Sequence, residues 1–519
     1  MSNAWIIAPI LLPAVTAALL ILLRKKDPLV RRAVTIGATS LFLLIAIGLY
    51  GLASDGGPRA YLLGAWKSPF GIVIVLDRLS ATMVLLTGAL AFFVSIYAAT
   101  GWDMRGNHFH SLFQFQLMGI SGAFLTGDVF NLFVFFEVML IASYGLMLHA
   151  GGPRRISAGF QYVTINLIGS ALFLVAVSLM YNVTGTLNMA DLALKTQSVA
   201  PENAALLKVA ALLLFLVFAI KAALAPLHWW LPTAYSAASA PAAALFAVMT
   251  KVGAYCIIRV YTLAFGPDAG PVANIVEPWI MPAALVTLVV GAIGVLASRS
   301  LAGLIVFAVV WSTGTLLSVF GSFDARTLSA ALYYALHSTF AAAALFLIMD
   351  QVAVRRAQGG RLAVGAPVAQ ATLLGSAFFL AAISMTGMPP LSGFIGKLLV
   401  LDATRSASGG PWIWALILIT SLFVIIGFAR AGSLLFWRAE QDRGDPSPAV
   451  AVKGASLVGV SAALGLVAMT AALAAFAGPV MKELSATATQ TLDRAGYVRA
   501  VLGADVKATF VANRTGNSP

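Results

Sequence analysis

The stretch IKAALAPLHWWLPTAYSAASAPAAALFAVMTKVGAYCIIRV, residues 220–260, decides the fold. Its two ends belong to apolar blocks near 204–226 and 241–263, each of roughly 20 residues, long enough to cross ~30 Å of hydrocarbon at ~1.5 Å of rise per residue. Lys221 stands near the end of the first block, and Lys251 stands ten residues into the second, near mid-bilayer. A lysine at that depth is costly unless it is paired, neutral or beside water, so each marks a working position. Pro226 removes a backbone hydrogen bond inside an apolar stretch, so the helix is expected to break at depth.

The rest of the chain extends this pattern. Of 519 residues 60% are apolar and only 10% charged, and the mean hydropathy is +0.94. A soluble reading would need a core larger than single domains sustain. The sequence therefore predicts an all-α polytopic membrane protein of about fourteen transmembrane helices. They fall near 4–23, 33–52, 79–100, 111–125, 129–148, 158–183, 204–226, 241–263, 276–298, 301–320, 327–350, 371–402, 411–437 and 453–478. Residues 186–197 (TLNMADLALKTQ) read as a short interfacial helix, and no soluble domain fits between the blocks.

The net charge of +13 does not point to nucleic acid, because the basic residues sit in short loops. Arg24, Lys25, Lys26, Arg31 and Arg32 follow the first block, Arg154 and Arg155 the fifth, and Arg355, Arg356 and Arg361 the eleventh. Alternating helices put all of them on one side, read as cytoplasmic, with both termini outside. Lys482, Arg494, Arg499, Lys507 and Arg514 near the C-terminus run against this rule. The opening block lacks a preceding basic region and a small-residue cleavage site, so a retained helix is expected. A lone Cys256 excludes an internal disulfide and cysteine-based clusters. No phosphate loop, dinucleotide fingerprint or haem pattern is present, so no cofactor and no metal are expected, and energy must come from an ion gradient or a partner.

A second break is expected in MTGMPPLSGFIGK, with Pro390 in its middle and Lys397 at its end. Breaks in corresponding positions of two halves point to a transport site built from inverted repeats. Glu137 lies eight residues into the 129–148 block, about 12 Å deep. Burial and a nearby carboxylate act on a lysine's proton affinity in opposite senses, so a movable contact between Glu137 and Lys221 would load and unload a proton. His337 can relay a proton through its two ring nitrogens, and Lys397 is the candidate exit carrier. His228, beside Pro226, has a supporting role. Arg259, Arg430 and Asp350 read as anchors, and His108 and His110 fall in a loop.

The stretches GDVFNLFVFFEVMLIASYG, IKAALAPLHWWLPTAY, APAAALFAVMTKVGAY and GMPPLSGFIGKLLVLD together resemble the antiporter-like family shared by Mrp-type cation/proton antiporters and respiratory complex I. FGIVIVLDRLSA near Asp77, TKVGAYCIIRV and PPLSGFIGK are most similar to the D-type branch of the Mrp antiporters, which are also called Pha or Mnh. The resemblance covers the third to the thirteenth expected helices. It implies inverted five-helix repeats, helices 4–8 and 9–13, with helices seven and twelve broken. The chain then divides into N-terminal helices (1–110), a first repeat (111–263), a second (264–437), and a last helix with a polar tail (438–519). It also implies that Glu137, Lys221, Lys251, His337 and Lys397 form a hydrophilic axis for proton transfer along the membrane centre. Lysine at 397 departs from the complex I subunit with glutamate there, and WSTGTLLS (311–318) departs from the usual polar pattern of the tenth helix. The function implied is a proton-translocating subunit of a hetero-oligomeric Na+ or K+/H+ antiporter in a bacterial inner membrane. A proton-pumping membrane subunit of a complex I-like oxidoreductase or membrane-bound hydrogenase is the alternative. Neither reading makes this chain an enzyme by itself unless the redox alternative holds.

Overall fold

The computed structural model describes residues 3–320, 323–356, 358–365, 368–407, 409–438 and 456–503. An opening group holds α1 (Ala8–Leu22), α2 (Pro28–Ser54) and α3 (Arg78–Ala98). Next come α4 (Phe109–Leu125), α5 (Val129–Leu148), α6 (Pro153–Thr184), the short α7 (Met189–Lys195), α8 (Pro201–Ala222), α9 (Trp230–Ala237), α10 (Ala240–Phe246) and α11 (Met249–Leu263). Then follow α12 (Glu277–Ala297), α13 (Leu301–Leu317), α14 (Ala325–Ala353), α15 (Ala371–Thr386), α16 (Ser392–Ala403) and α17 (Gly410–Gly432). The described chain closes with α18 (Leu457–Ala475), α19 (Ala477–Leu492) and α20 (Arg494–Leu502).

Among the described residues eleven helical spans are long and apolar enough to cross a membrane, and Leu301–Leu317 and Ala371–Thr386 are shorter apolar helices. Burial separates inner from outer spans. The most apolar window of Ala240–Leu263 is 100% buried and that of Ala325–Ala353 is 89% buried, against 28% for Pro28–Ser54. A helix apolar on every side and enclosed on every side is a core helix, so α10, α11 and α14 form the centre. Outward-facing Leu22, Phe160 and Leu44 are largely exposed, which suits lipid and would be costly in water. The protein is thus a multi-pass membrane protein.

Helix starts follow local chemistry. Proline opens α2, α6 and α8, where its missing amide costs nothing. Asp77 caps α3 in a reciprocal box with Ser80, while Asp128 caps α5 and Ser300 caps α13. Two helix pairs close on glycine. An added Cβ at Gly119 of α4 would lie 2.6 Å from the Met139 nitrogen of α5, and one at Gly122 would meet the Phe135 ring. In the same way, a Cβ at Gly291 of α12 would lie 2.5 Å from the Trp311 nitrogen of α13, and one at Gly294 would meet the Phe307 ring.

Three features depart from the expected helices. The loop after α2 carries an antiparallel hairpin of β1 (Arg59–Leu62) and β2 (Val73–Leu76), with Arg59 opposite Leu76. The stretch expected as one helix at 241–263 is two, α10 and α11. The C-terminal segment expected as a polar tail folds into α19 and α20 as far as residue 503; Lys507 and Arg514 lie outside the described residues. Helix α19 packs along α14 and α3, so its apolar residues Leu484 and Ala488 are buried against protein.

Candidate functional site

The expected site residues lie on α5, α8, α11, α14 and α16. Lys221 occupies the last turn of α8, 5% exposed. The chain then turns through Ala223 in the left-handed region, at φ +57°, and the helix is interrupted until α9. Backbone groups released by this break are satisfied by side chains: the Ala225 amide donates to Thr287 Oγ1 of α12 at 2.8 Å, and Trp230 Nε1 donates to the Ile220 carbonyl at 3.0 Å. Pro226 itself is exposed and His228 half-buried, and His228 Nδ1 is unpartnered among the described residues.

Lys221 and Glu137 are held apart by α6. Lys221 Nζ donates to Asn166 Oδ1 at 2.7 Å, while Glu137 accepts a short hydrogen bond from Ser170. Asn166 and Ser170 are four residues apart, on one face of α6. The Lys221 ammonium also lies 6.0 Å from the Phe136 ring centre. Sequence reasoning missed Asn166 and Ser170; two polar residues at helical spacing within an apolar helix were the available signal.

Lys251, 2% exposed on α11, has no hydrogen-bond partner for its Nζ among the described residues. It borders a small apolar cavity with Met83, Ile258, Leu316 and Leu332. Two residues further on, Gly253 lets α11 touch α8: a Cβ there would lie 2.5 Å from the Ala222 nitrogen and 2.9 Å from the Lys221 carbonyl carbon. Lys221 and Lys251 are therefore carried on backbones in direct contact.

His337, 1% exposed on α14, shares a hydrogen bond of 2.9 Å with Ser392 Oγ through Nδ1. Lys397, 7% exposed, lies on α16 after the second break. Its Nζ donates to Ser421 Oγ at 2.7 Å and makes a short bond to the carbonyl of Thr386, the last residue of α15. It also stands 4.4 Å from the Trp311 ring centre. Pro390, in the break, is exposed.

The charged residues read as anchors make fixed contacts. Arg259 binds Asp77 at two points, 2.6 and 2.7 Å, with both side chains buried. Asp350 accepts from Tyr97 and Trp102, and Arg430 donates to the Ser298 carbonyl. His110 joins Asp103 and Arg32 in a cluster beside the α3–α4 loop. Among the described residues no group of three or more His, Cys, Asp or Glu is placed to hold a metal.

A multi-pass helical bundle with four titratable nitrogens enclosed along its interior, beside two interrupted helices, has the form of an ion-translocating membrane protein rather than of a classical enzyme. Residues 126–425 match the family described as NADH:quinone oxidoreductase/Mrp antiporter, TM, and the chain belongs to that family. It is 39% identical to the D-type subunit of a probable K(+)/H(+) antiporter of Rhizobium meliloti (strain 1021), over 96% of this chain and 97% of the relative. It is 35% identical to the D-type subunit of the Na(+)/H(+) antiporter of Bacillus subtilis (strain 168), over 86% and 89%. Among solved structures, it superposes on a chain of the Mrp complex from Dietzia sp. DQ12-45-1b with a TM-score of 0.87 and 26% identity, covering 97% of this chain and 100% of that one.

Proposed function

We propose that this chain is the proton-conducting, D-type subunit of a hetero-oligomeric monovalent cation/proton antiporter, in which proton uptake drives Na+ or K+ efflux. The observation that carries the reading is the buried series Lys221, Lys251, His337 and Lys397, none of them in a fixed ion pair among the described residues. A cation locked to a carboxylate serves as an anchor, as Arg259 does; one held by amide, hydroxyl or nothing can give up its proton. The likeness to relatives named as D-type antiporter subunits supports the same reading.

In this reading Glu137 sets the charge state of Lys221, the proton passes to Lys251, and His337 relays it toward Lys397, each transfer altering the next site by Coulomb coupling. Other antiporter subunits complete the complex in a bacterial inner membrane, with both termini outside. Fourteen crossings accommodate the helices if α8–α9, α10–α11 and α15–α16 each make one and the short α7 and the C-terminal α19 and α20 make none. Two repeats, 111–263 and 264–437, are supported by register. The offset is 172 residues between Gly119 and Gly291 (291 minus 119), between the caps Asp128 and Ser300 (300 minus 128), and between the starts of α6 and α14 (325 minus 153). An odd number of crossings per repeat inverts the second relative to the first.

The test is gradient dissipation in everted vesicles of an antiporter-deficient host carrying the whole operon, with sodium and potassium added separately. Dissipation on cation addition is expected, weakened at least tenfold by Asn166→Leu, which removes the Lys221 acceptor. No cation response, together with NADH- or hydrogen-linked pumping, would replace this reading by the redox-driven alternative.

A further inference from the structure

Lys221 and Lys397 are stabilised differently. Helix α5 brings a carboxylate, Glu137, to Ser170 on the same face of α6 whose Asn166 holds Lys221. The same register places Val309 of α13 where Glu137 stands and Trp311 where Met139 stands (309 minus 137 and 311 minus 139 are both 172), so α13 brings Lys397 no acid. It brings an indole instead: the fully buried Trp311 presents its ring 4.4 Å from the ammonium, within the range of a cation–π contact. The ring is fixed by a hydrogen bond, because Trp311 Nε1 donates to Thr420 Oγ1 at 2.9 Å. Thr420 and Ser421, adjacent on α17, thus hold the ring and the ammonium respectively.

Among the described residues no acid faces this ammonium. Helices α13, α15 and α18 contain no titratable side chain, and α17 contains only Arg430, bonded to Ser298. Helix α14 offers His337, which Lys397 repels when both are charged, and Tyr333 and Tyr334. On α16 itself Asp402 pairs with Arg326.

We propose that Trp311 is a positioning residue for Lys397: its indole face substitutes for a carboxylate, stabilising the ammonium between Thr386 and Ser421 without being able to take its proton. A carboxylate would compete for that proton, whereas a ring cannot, so Lys397 must unload elsewhere. The role rests on the proton-carrier reading of Lys397 given above.

Because the chain has 10 tryptophans, the test places fluorotryptophan at 311 alone, by suppression of an introduced stop codon, in the intact complex. Fluorine NMR then follows the label against pH, and cation-driven gradient dissipation is measured on the same preparations. Expected is a titration step that vanishes in Lys397→Met and moves to lower pH as ring fluorines are added, by about one unit in total, since fluorine drains the ring face. The alkaline limb of the dissipation profile should move with it. A label that does not titrate, or a step indifferent to fluorination, would overturn the proposal and leave Trp311 as packing. A titrating, fluorine-sensitive step without any cation response would uphold the ring's role while removing the antiporter reading.

Discussion

Gly253 of α11 and Ala222 of α8 are in backbone contact, closely enough that a Cβ at 253 would stand 2.5 Å from the Ala222 nitrogen. Only main-chain atoms oppose it, and these cannot rotate aside. Gly253→Ala should therefore push the two helices apart and separate Lys221 from Lys251. The expected result is at least a tenfold loss of cation-driven dissipation, with a destabilisation of about 1–3 kcal/mol. Transport assays and thermal melts of the purified complex check both. Wild-type transport in Gly253→Ala would show that the spacing of these two helices is immaterial.

The Asp77–Arg259 pair is a fixed strut, with side chains 2% and 4% exposed. It joins the start of α3 to the C-terminal part of α11, and the Tyr497 ring of α20 lies 5.3 Å from the guanidinium. Breaking one side leaves a buried, uncompensated charge, which costs about 3–5 kcal/mol. Arg259→Met alone should abolish accumulation of assembled complex, whereas Asp77→Asn combined with Arg259→Met should restore part of it. Equal damage from the single and double variants would argue that the pair serves something other than charge balance.

Asp103 lies outside the spans, in the short turn Trp102–Arg105. Burial alone would raise its carboxyl; hydrogen bonds with His110 and Arg32, and the Arg32 charge, outweigh burial and hold it at about 2. A depressed carboxyl stabilises the fold above its ordinary value of about 4, and the contribution is lost as pH falls toward 2. Asp103→Asn should cost about 2 kcal/mol at pH 5, and the deficit should narrow below about pH 4. Melting temperatures across that range measure it; a deficit that widens on acidification would contradict the assignment.

Much of this architecture is legible in the sequence because the bilayer makes crude signals sufficient. Length and hydropathy place helices such as α2, α5 and α14, and an unpaired charge in an apolar run singles out Glu137, Lys221, Lys251 and Lys397 by its cost. What escapes are groups that carry no such cost. Asn166, Ser170, Ser392 and Ser421 are neutral and small, and Trp311 looks like any core aromatic; only the fold reveals that each faces a titratable group. Helices α19 and α20 read as a polar tail because an amphipathic helix lying on protein has no long apolar run. Hairpin β1–β2 is too short to stand out beside its apolar neighbours.

The most direct test of proton relay is Lys251, whose ammonium has no partner among the described residues. In everted vesicles carrying the assembled complex, cation-induced dissipation of the pH gradient should fall by at least tenfold in Lys251→Met while the amount of complex stays at the wild-type level. Dissipation by Lys251→Met at the wild-type rate would contradict a relay through this residue.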